Sequence, residues 1–217
     1  MNIRKAVKLD FLSIVPYLTV KNLILLIFFG SLYAFLFKNP IMVIGMSQIF
    51  SMMFATYPFM VGDEGGIDPL FKIVGLKADY VVQGRYLLSH LFVIIMLVAG
   101  IVFGTLGSAF YSAENSVSIS VSSALITFIL TSLAILMQYP AYFKLGYLKA
   151  KPFGMIPFFV IGIVVFLAVR FSSDTQNIIK YFIQHRYVAL LALVALWCIA
   201  FFVSISLSKK FYKARDF

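Results

Sequence analysis

Apolar residues in this chain run in long stretches rather than alternating with polar ones. Between roughly 18–37, 40–61, 86–111, 117–140, 154–170 and 187–208, hydrophobic side chains would cover every side of a helix. Each stretch is near the ~20 residues that a helix needs to cross the hydrocarbon core of a bilayer. A helix is also one of the few backbone forms that satisfies its own polar groups there. The pattern predicts an all-α membrane protein with about six transmembrane helices. Ahead of them, within residues 1–16, Ile3, Val7, Phe11 and Ile14 recur at helical spacing among Arg4, Lys5 and Lys8, up to a break at Pro16. That arrangement suits a short helix lying in the membrane interface.

Composition agrees with this reading. The chain is 62% hydrophobic and only 12% charged, with a mean hydropathy of +1.00, whereas a soluble domain carries about a quarter charged residues. The six stretches use up most of the 217 residues, so a single compact transmembrane domain over 1–217 is expected. The net charge of +10 raises nucleic acid as a partner, but the basic residues lie between and beside the apolar runs, where insertion bias and anionic headgroups place them. With the N-terminus inside, fourteen of the 18 basic residues fall on the inner side, and only Lys38, Arg170, Lys180 and Arg186 on the outer. Short loops rich in Lys and Arg stay cytoplasmic, so both ends are expected in the cytoplasm, with segment 171–186 outside. Membrane lipid is an expected partner.

Catalytic chemistry finds no footing. Cys198 is the one cysteine, and His90 and His185 lack the acidic or histidine neighbours of an intramembrane metal site. The serines between Ser116 and Ser123 have no base or oxyanion site to activate them. No phosphate-binding loop occurs, so no cofactor is expected in the chain itself. Gly100 and Gly104 predict a face of the third span that lets a neighbour approach closely. Met46, Gln48, Met52, Met53 and Tyr57 give the second span an adaptable, partly polar surface, which is either a candidate substrate path or ordinary helix packing.

The segment 62–85, after the second span, holds four of the eight acidic residues, Asp63, Glu64, Asp68 and Asp79, together with Lys72, Lys77 and Arg85. Insertion bias does not call for those carboxylates. Such a cluster is either a solvated connector or a docking surface for the charged groups of a cytoplasmic partner.

With its basic interfacial helix, a second span ending in Asp63-Glu64, and Val82-Gln83-Gly84-Arg85-Tyr86-Leu87 opening the third, the chain resembles the permease subunits of small six-helix ABC-type exporters. This class moves antibiotics, bacteriocins and phenol-soluble modulin peptides. Family members commonly carry Leu-Pro followed by a basic residue upstream of that phrase, where this chain has Val74-Gly75 and Ala78. The resemblance implies a bacterial plasma-membrane permease that pairs with a separate ATP-binding subunit, which would hold ATP and Mg, in an assembly of two permeases with two ATPases. It further implies that 62–85 couples to the ATPase, with the interfacial helix nearby, and that amphipathic or hydrophobic cargo passes between the first, second and fifth helices of both copies. The alternative is a substrate-binding membrane subunit of a vitamin or metal-ion importer, for which Gly30 and Ala34 offer a small-residue spacing.

Overall fold

The computed structural model describes residues 3–37, 40–108, 121–157, 159, 163 and 185–215, and no strand occurs among them. Helix α1 (Ile3–Ile14) passes through a 3-10 turn at Val15–Tyr17 into α2 (Val20–Phe37). Then come α3 (Pro40–Glu64), α4 (Ile67–Ile73), α5 (Ala78–Ser108), α6 (Val121–Leu145), the single turn α7 (Tyr147–Ala150) and α8 (Arg186–Lys213). Four of these, over Pro40–Glu64, Ala78–Gly107, Ser123–Leu145 and Tyr187–Lys213, are long and apolar enough to cross a membrane. A fifth is present if α1 and α2 together count as one bent span. The all-α membrane class is therefore as expected. Most of the stretch expected as a fifth span, 154–170, and of segment 171–186 lies outside the described residues.

The chain bends by 79° between α1 and α2. Proline at 16 has no N–H to donate and clashes with a continuing helix, so the turn falls there. The bend lets α1 lie across the bundle end instead of extending a span. Its protein-facing stripe differs from the expected one: Ala6, Asp10 and Ile14 are buried, spaced by four, while Phe11 and Leu12 remain exposed.

The connector after the second span is shorter than 62–85. Helix α3 continues to Glu64 and α5 already begins at Ala78, which leaves 65–77 with α4 inside it. Charged residues at 79 and 85 suggested a helix that starts later, but partners from elsewhere in the fold satisfy them, so the helix runs through them. Helices α3 and α5 share the most extensive contact in the bundle. A side chain at Gly104 would meet Pro40 at 3.0 Å, and one at Gly100 would collide with Ser47 and Ile44. The absence of a Cβ at both positions permits this approach. Phe59, Tyr86, Tyr139 and Phe143 interlock edge-to-face beneath it, with Phe59–Tyr139 and Phe59–Phe143 centroids 4.8 Å apart.

Candidate functional site

At the end of the bundle that carries α1, α4 and the last turn of α8, charged side chains from across the chain converge. Gly84 of α5 lies against α1, where an added Cβ would stand 3.2 Å from that of Ala6. Close approach at that point brings Asp10 of α1 over the next residue of α5, Arg85. Asp68 reaches the same guanidinium from α4, whose short length and left-handed start at Gly66, φ 64°, turn its first residues inward. Gly62 completes the fit, since a side chain there would press to 3.0 Å on both Arg85 and Asp68.

Arg85 is fully buried, with 0% of its side chain exposed. Its Nη2 donates to Asp68 Oδ1 and its Nη1 to Asp68 Oδ2 at 3.4 Å, a bidentate pair. The ring of Phe59 lies 4.8 Å from the guanidinium carbon, and cation–π attraction there strengthens with desolvation. Asp68 also accepts from Tyr212 Oη at 3.4 Å and lies 3.6 Å from Arg215 Nη1. Arg215 in turn donates to Asp63 Oδ1 at 2.6 Å. The other oxygen of Asp63 accepts the backbone N–H of Tyr147 and, at 3.4 Å, that of Leu148, capping the start of α7. Gly146 stands at φ +78°, and a side chain there would collide with Asp63 and Arg215.

This network joins α1, α3, α4, α5, α7 and the end of α8. It sets three carboxylates against two guanidinium groups. Asp10 is its weak corner. Its Oδ1 is 3.5 Å from Arg85 Nε, beyond a good hydrogen bond, and neither Asp10 oxygen nor that Nε has another partner. Burial pushes the Asp10 carboxyl up to about 6, despite the pull of Arg85. The carboxyl therefore titrates near physiological pH rather than in the usual carboxylate range.

The residues picked out in 62–85 thus separate. Asp63, Asp68 and Arg85 face inward and are engaged within the chain, while Glu64, Lys72 and Lys77 are exposed. Asp79 pairs with Lys213 at 2.9 Å at the surface. On α1, Arg4, Lys5 and Lys8 are exposed around the outer face. The outer side of α4 and its cap is apolar, with Leu70, Ile73 and Val74 at 48%, 82% and 55% exposure. Sequence reasoning missed this patch. It also missed Asp10, Tyr212 and Arg215 as members of the network. A lone acidic residue on an otherwise basic amphipathic helix was the available signal for Asp10.

The proposed path residues on α3 divide between two faces. Gln48 and Met52 are buried, with Gln48 Nε2 donating to Val93 O at 3.2 Å. Met46 and Tyr57 are partly exposed and Met53 is exposed. Met46 lines a small cavity with Gly30 of α2 and Ala99, Gly100 and Phe103 of α5, and Tyr57 packs beside Tyr17 and Phe54, so Met53 is the most open of the five.

Farther from the basic end lies a neutral polar cluster. Trp197 Nε1 donates to Ser132 Oγ at 2.6 Å, and His90 Nε2 is 2.8 Å from the same oxygen. His90 Nδ1 is 2.7 Å from Tyr86 O, which can only accept. The geometry therefore assigns the proton to Nδ1, leaving Nε2 to accept from the Ser132 hydroxyl. The imidazole is neutral and satisfied, with no unused group for chemistry. Among the described residues no group of three His, Cys, Asp or Glu could hold a metal ion.

A family model described as ABC-2 family transporter protein matches residues 7–213. No curated protein and no solved structure matches the chain.

Proposed function

The chain belongs to the ABC-2 transporter family, as a multi-pass membrane permease subunit, and from that premise we propose that it exports amphipathic peptides or other hydrophobic compounds across a bacterial plasma membrane. Membership implies association with an ABC ATP-binding subunit. In the proposed assembly two permeases, identical or paralogous, sit on two such subunits, which hold ATP and Mg. The basic end is cytoplasmic, since most Lys and Arg residues lie there or in loops on the same side.

The observation that carries this reading is the two-sided build of α4. Its inner face is pinned by Asp68 to Arg85 at zero exposure, while its outer face offers Leu70, Ile73 and Val74. An exposed apolar patch on a short helix at a bundle end suits protein docking. Glu64, Lys72, Lys77 and Asp79 surround it with charge that would orient the partner. A push on α4 would then be transmitted through Arg85 to α5, and through Arg215 to α8 and α7. Met53, exposed on α3, and the partly exposed Met46 and Tyr57 are the path residues in this reading. Arg4, Lys5 and Lys8 hold α1 to the headgroups.

Cross-linking tests the reading. In a Cys198→Ala background, Ile73→Cys should react with a co-expressed ATP-binding subunit and should be protected from membrane-impermeant thiol reagents in intact cells. In inside-out vesicles the complex should drive ATP-dependent uptake of an amphipathic peptide, and Ile73→Glu should abolish both uptake and cargo-stimulated ATP hydrolysis. Labelling of the Ile73→Cys protein from outside the cell would overturn the assignment.

A further inference from the structure

A groove of about 700 Å³ runs between α5 and α8, closed at one side by Phe128 of α6. It lies away from the path residues on α3. Along α8 it extends from Trp197 to Lys209, twelve residues or about 18 Å of helix. One leaflet of hydrocarbon is about 15 Å deep.

Its polarity is graded. At the basic end stand Gln83 and Lys209, and no carboxylate is among the lining residues. Farther in, the walls are Leu87, Phe128, Phe202 and Trp197. Apart from Ser206, which lies within one turn of Lys209 toward the basic end, the polar atoms along the walls are already used within the protein. Tyr86 Oη is bonded to Ser204 and Ser208 at 2.5 and 2.8 Å, and both His90 nitrogens and the Trp197 N–H are engaged. A polar solute would find no partner in the deep part, whereas an acyl chain needs none. The groove is also open sideways, with Leu87 at 58% and Phe202 at 71% exposure.

From this gradient, length and lateral opening we infer that the groove is a binding site for one anionic phospholipid of the leaflet at the basic end, with its phosphate held by Lys209 and Gln83 and a chain lying along α8 toward Trp197. A lysine ammonium held beside a headgroup phosphate favours it over a zwitterionic lipid whose own cation competes for that phosphate. The site does not depend on transport direction or on an ATPase.

The single tryptophan makes the site readable. The full chain would be reconstituted in phosphatidylcholine vesicles containing a small fraction of either chain-brominated phosphatidylglycerol or chain-brominated phosphatidylcholine, and Trp197 fluorescence quenching would be compared. Brominated phosphatidylglycerol should quench with about fivefold higher apparent affinity, the factor expected for one lysine at an anionic headgroup. Lys209→Glu should remove that preference while leaving quenching by brominated phosphatidylcholine intact, which shows that the protein is folded and inserted. Lys149→Glu, a charge change outside the groove, should leave the preference in place. Equal quenching by the two lipids in the unmodified chain, or a preference that survives Lys209→Glu, would overturn the inference. So would absence of quenching by either lipid, since a protein surface such as a second copy would then cover the groove. ATP-driven export measured on the same Lys209→Glu protein separates loss of the lipid site from failure of the transport reading.

Discussion

The two polar clusters inside this bundle are built on opposite terms. At the basic end, Asp10, Asp68, Arg85, Arg215 and Asp63 carry full charges, and one corner of the network is left without a hydrogen bond. Farther along, Trp197, Ser132, His90 and Tyr86 O form a neutral relay in which each donor meets one acceptor. The neutral groups lie farther from the basic end, and an ion in hydrocarbon is far costlier than a hydroxyl or indole. The difference also separates two mechanical roles. A satisfied neutral relay has one good arrangement and fixes α5, α6 and α8 to one another. An ionic network with unequal charge and an unsatisfied corner has alternatives that differ little in energy, as a joint between α1, α4 and the spans would need.

Breaking the ionic cluster at its centre should have the largest effect. Arg85→Met would leave Asp68 and Asp10 buried without their guanidinium, and stripping one partner from a buried pair costs about 3 to 5 kcal/mol. Reversible unfolding in mixed micelles should show a loss of that size, and replacing Asp10 and Asp68 with Leu in the same protein should recover most of it. A stability within about 1 kcal/mol of the parent, the range for exposed pairs, would mean that water reaches the guanidinium and that the comparison with the neutral relay fails.

The weak corner has its own signature in pH. Asp10 binds its proton up to about pH 6 in the folded chain, against an ordinary 3.8, so its raised value contributes stability that is fully present below pH 3.8. This contribution is lost as pH rises through 6. The loss should be on the order of 2 to 3 kcal/mol, from the equivalence of pKa shift and free energy. Asp10→Asn should flatten the stability curve across that window and match the parent at its acid end. A parent curve that rises between pH 4 and 6.5 at this site, with the difference abolished by Asp10→Asn, would show instead that Arg85 holds the carboxyl ionised.

The contrast between the clusters also explains what could be read from the chain alone. Spans follow from apolar runs, and α3, α5, α6 and α8 fall where the runs are. Their ends do not follow as well. Whether Asp79 and Arg85 terminate a helix or lie within it depends on Lys213, Asp68 and Asp10, residues up to 134 positions away in the chain. Small residues at 100 and 104 disclosed a close seam because glycine permits only a few things. Gly62, Gly84 and Gly146 carried no comparable pattern, since each makes room for one side chain or helix that arrives from elsewhere. The site was legible as a concentration of charge in 62–85, but the direction each side chain faces was not. Asp63 and Asp68 are spent inside, Glu64 and Asp79 stay at the surface, and the outer face of α4 presents Leu70, Ile73 and Val74.

The smallest effect should come from the neutral relay, and it tests whether that relay is as complete as its distances suggest. Ser132→Ala removes the oxygen shared by Trp197 and His90, leaving an indole N–H and an imidazole nitrogen without partners. Neither group carries a full charge, and both rings are partly exposed, so the penalty should be about 1 to 2 kcal/mol, near the lower end of the cost of an unsatisfied polar group. Trp197→Phe removes the donor together with its need for a partner, so in that background Ser132→Ala orphans one group fewer and should cost less. A double-mutant cycle on these two positions should give a coupling of about 0.5 to 1 kcal/mol, the lower part of the range for residues in contact. Strict additivity in the cycle would mean that the indole finds another acceptor. The neutral cluster would then be as adaptable as the ionic one, and the division of roles between a fixed region and a joint would lose its basis.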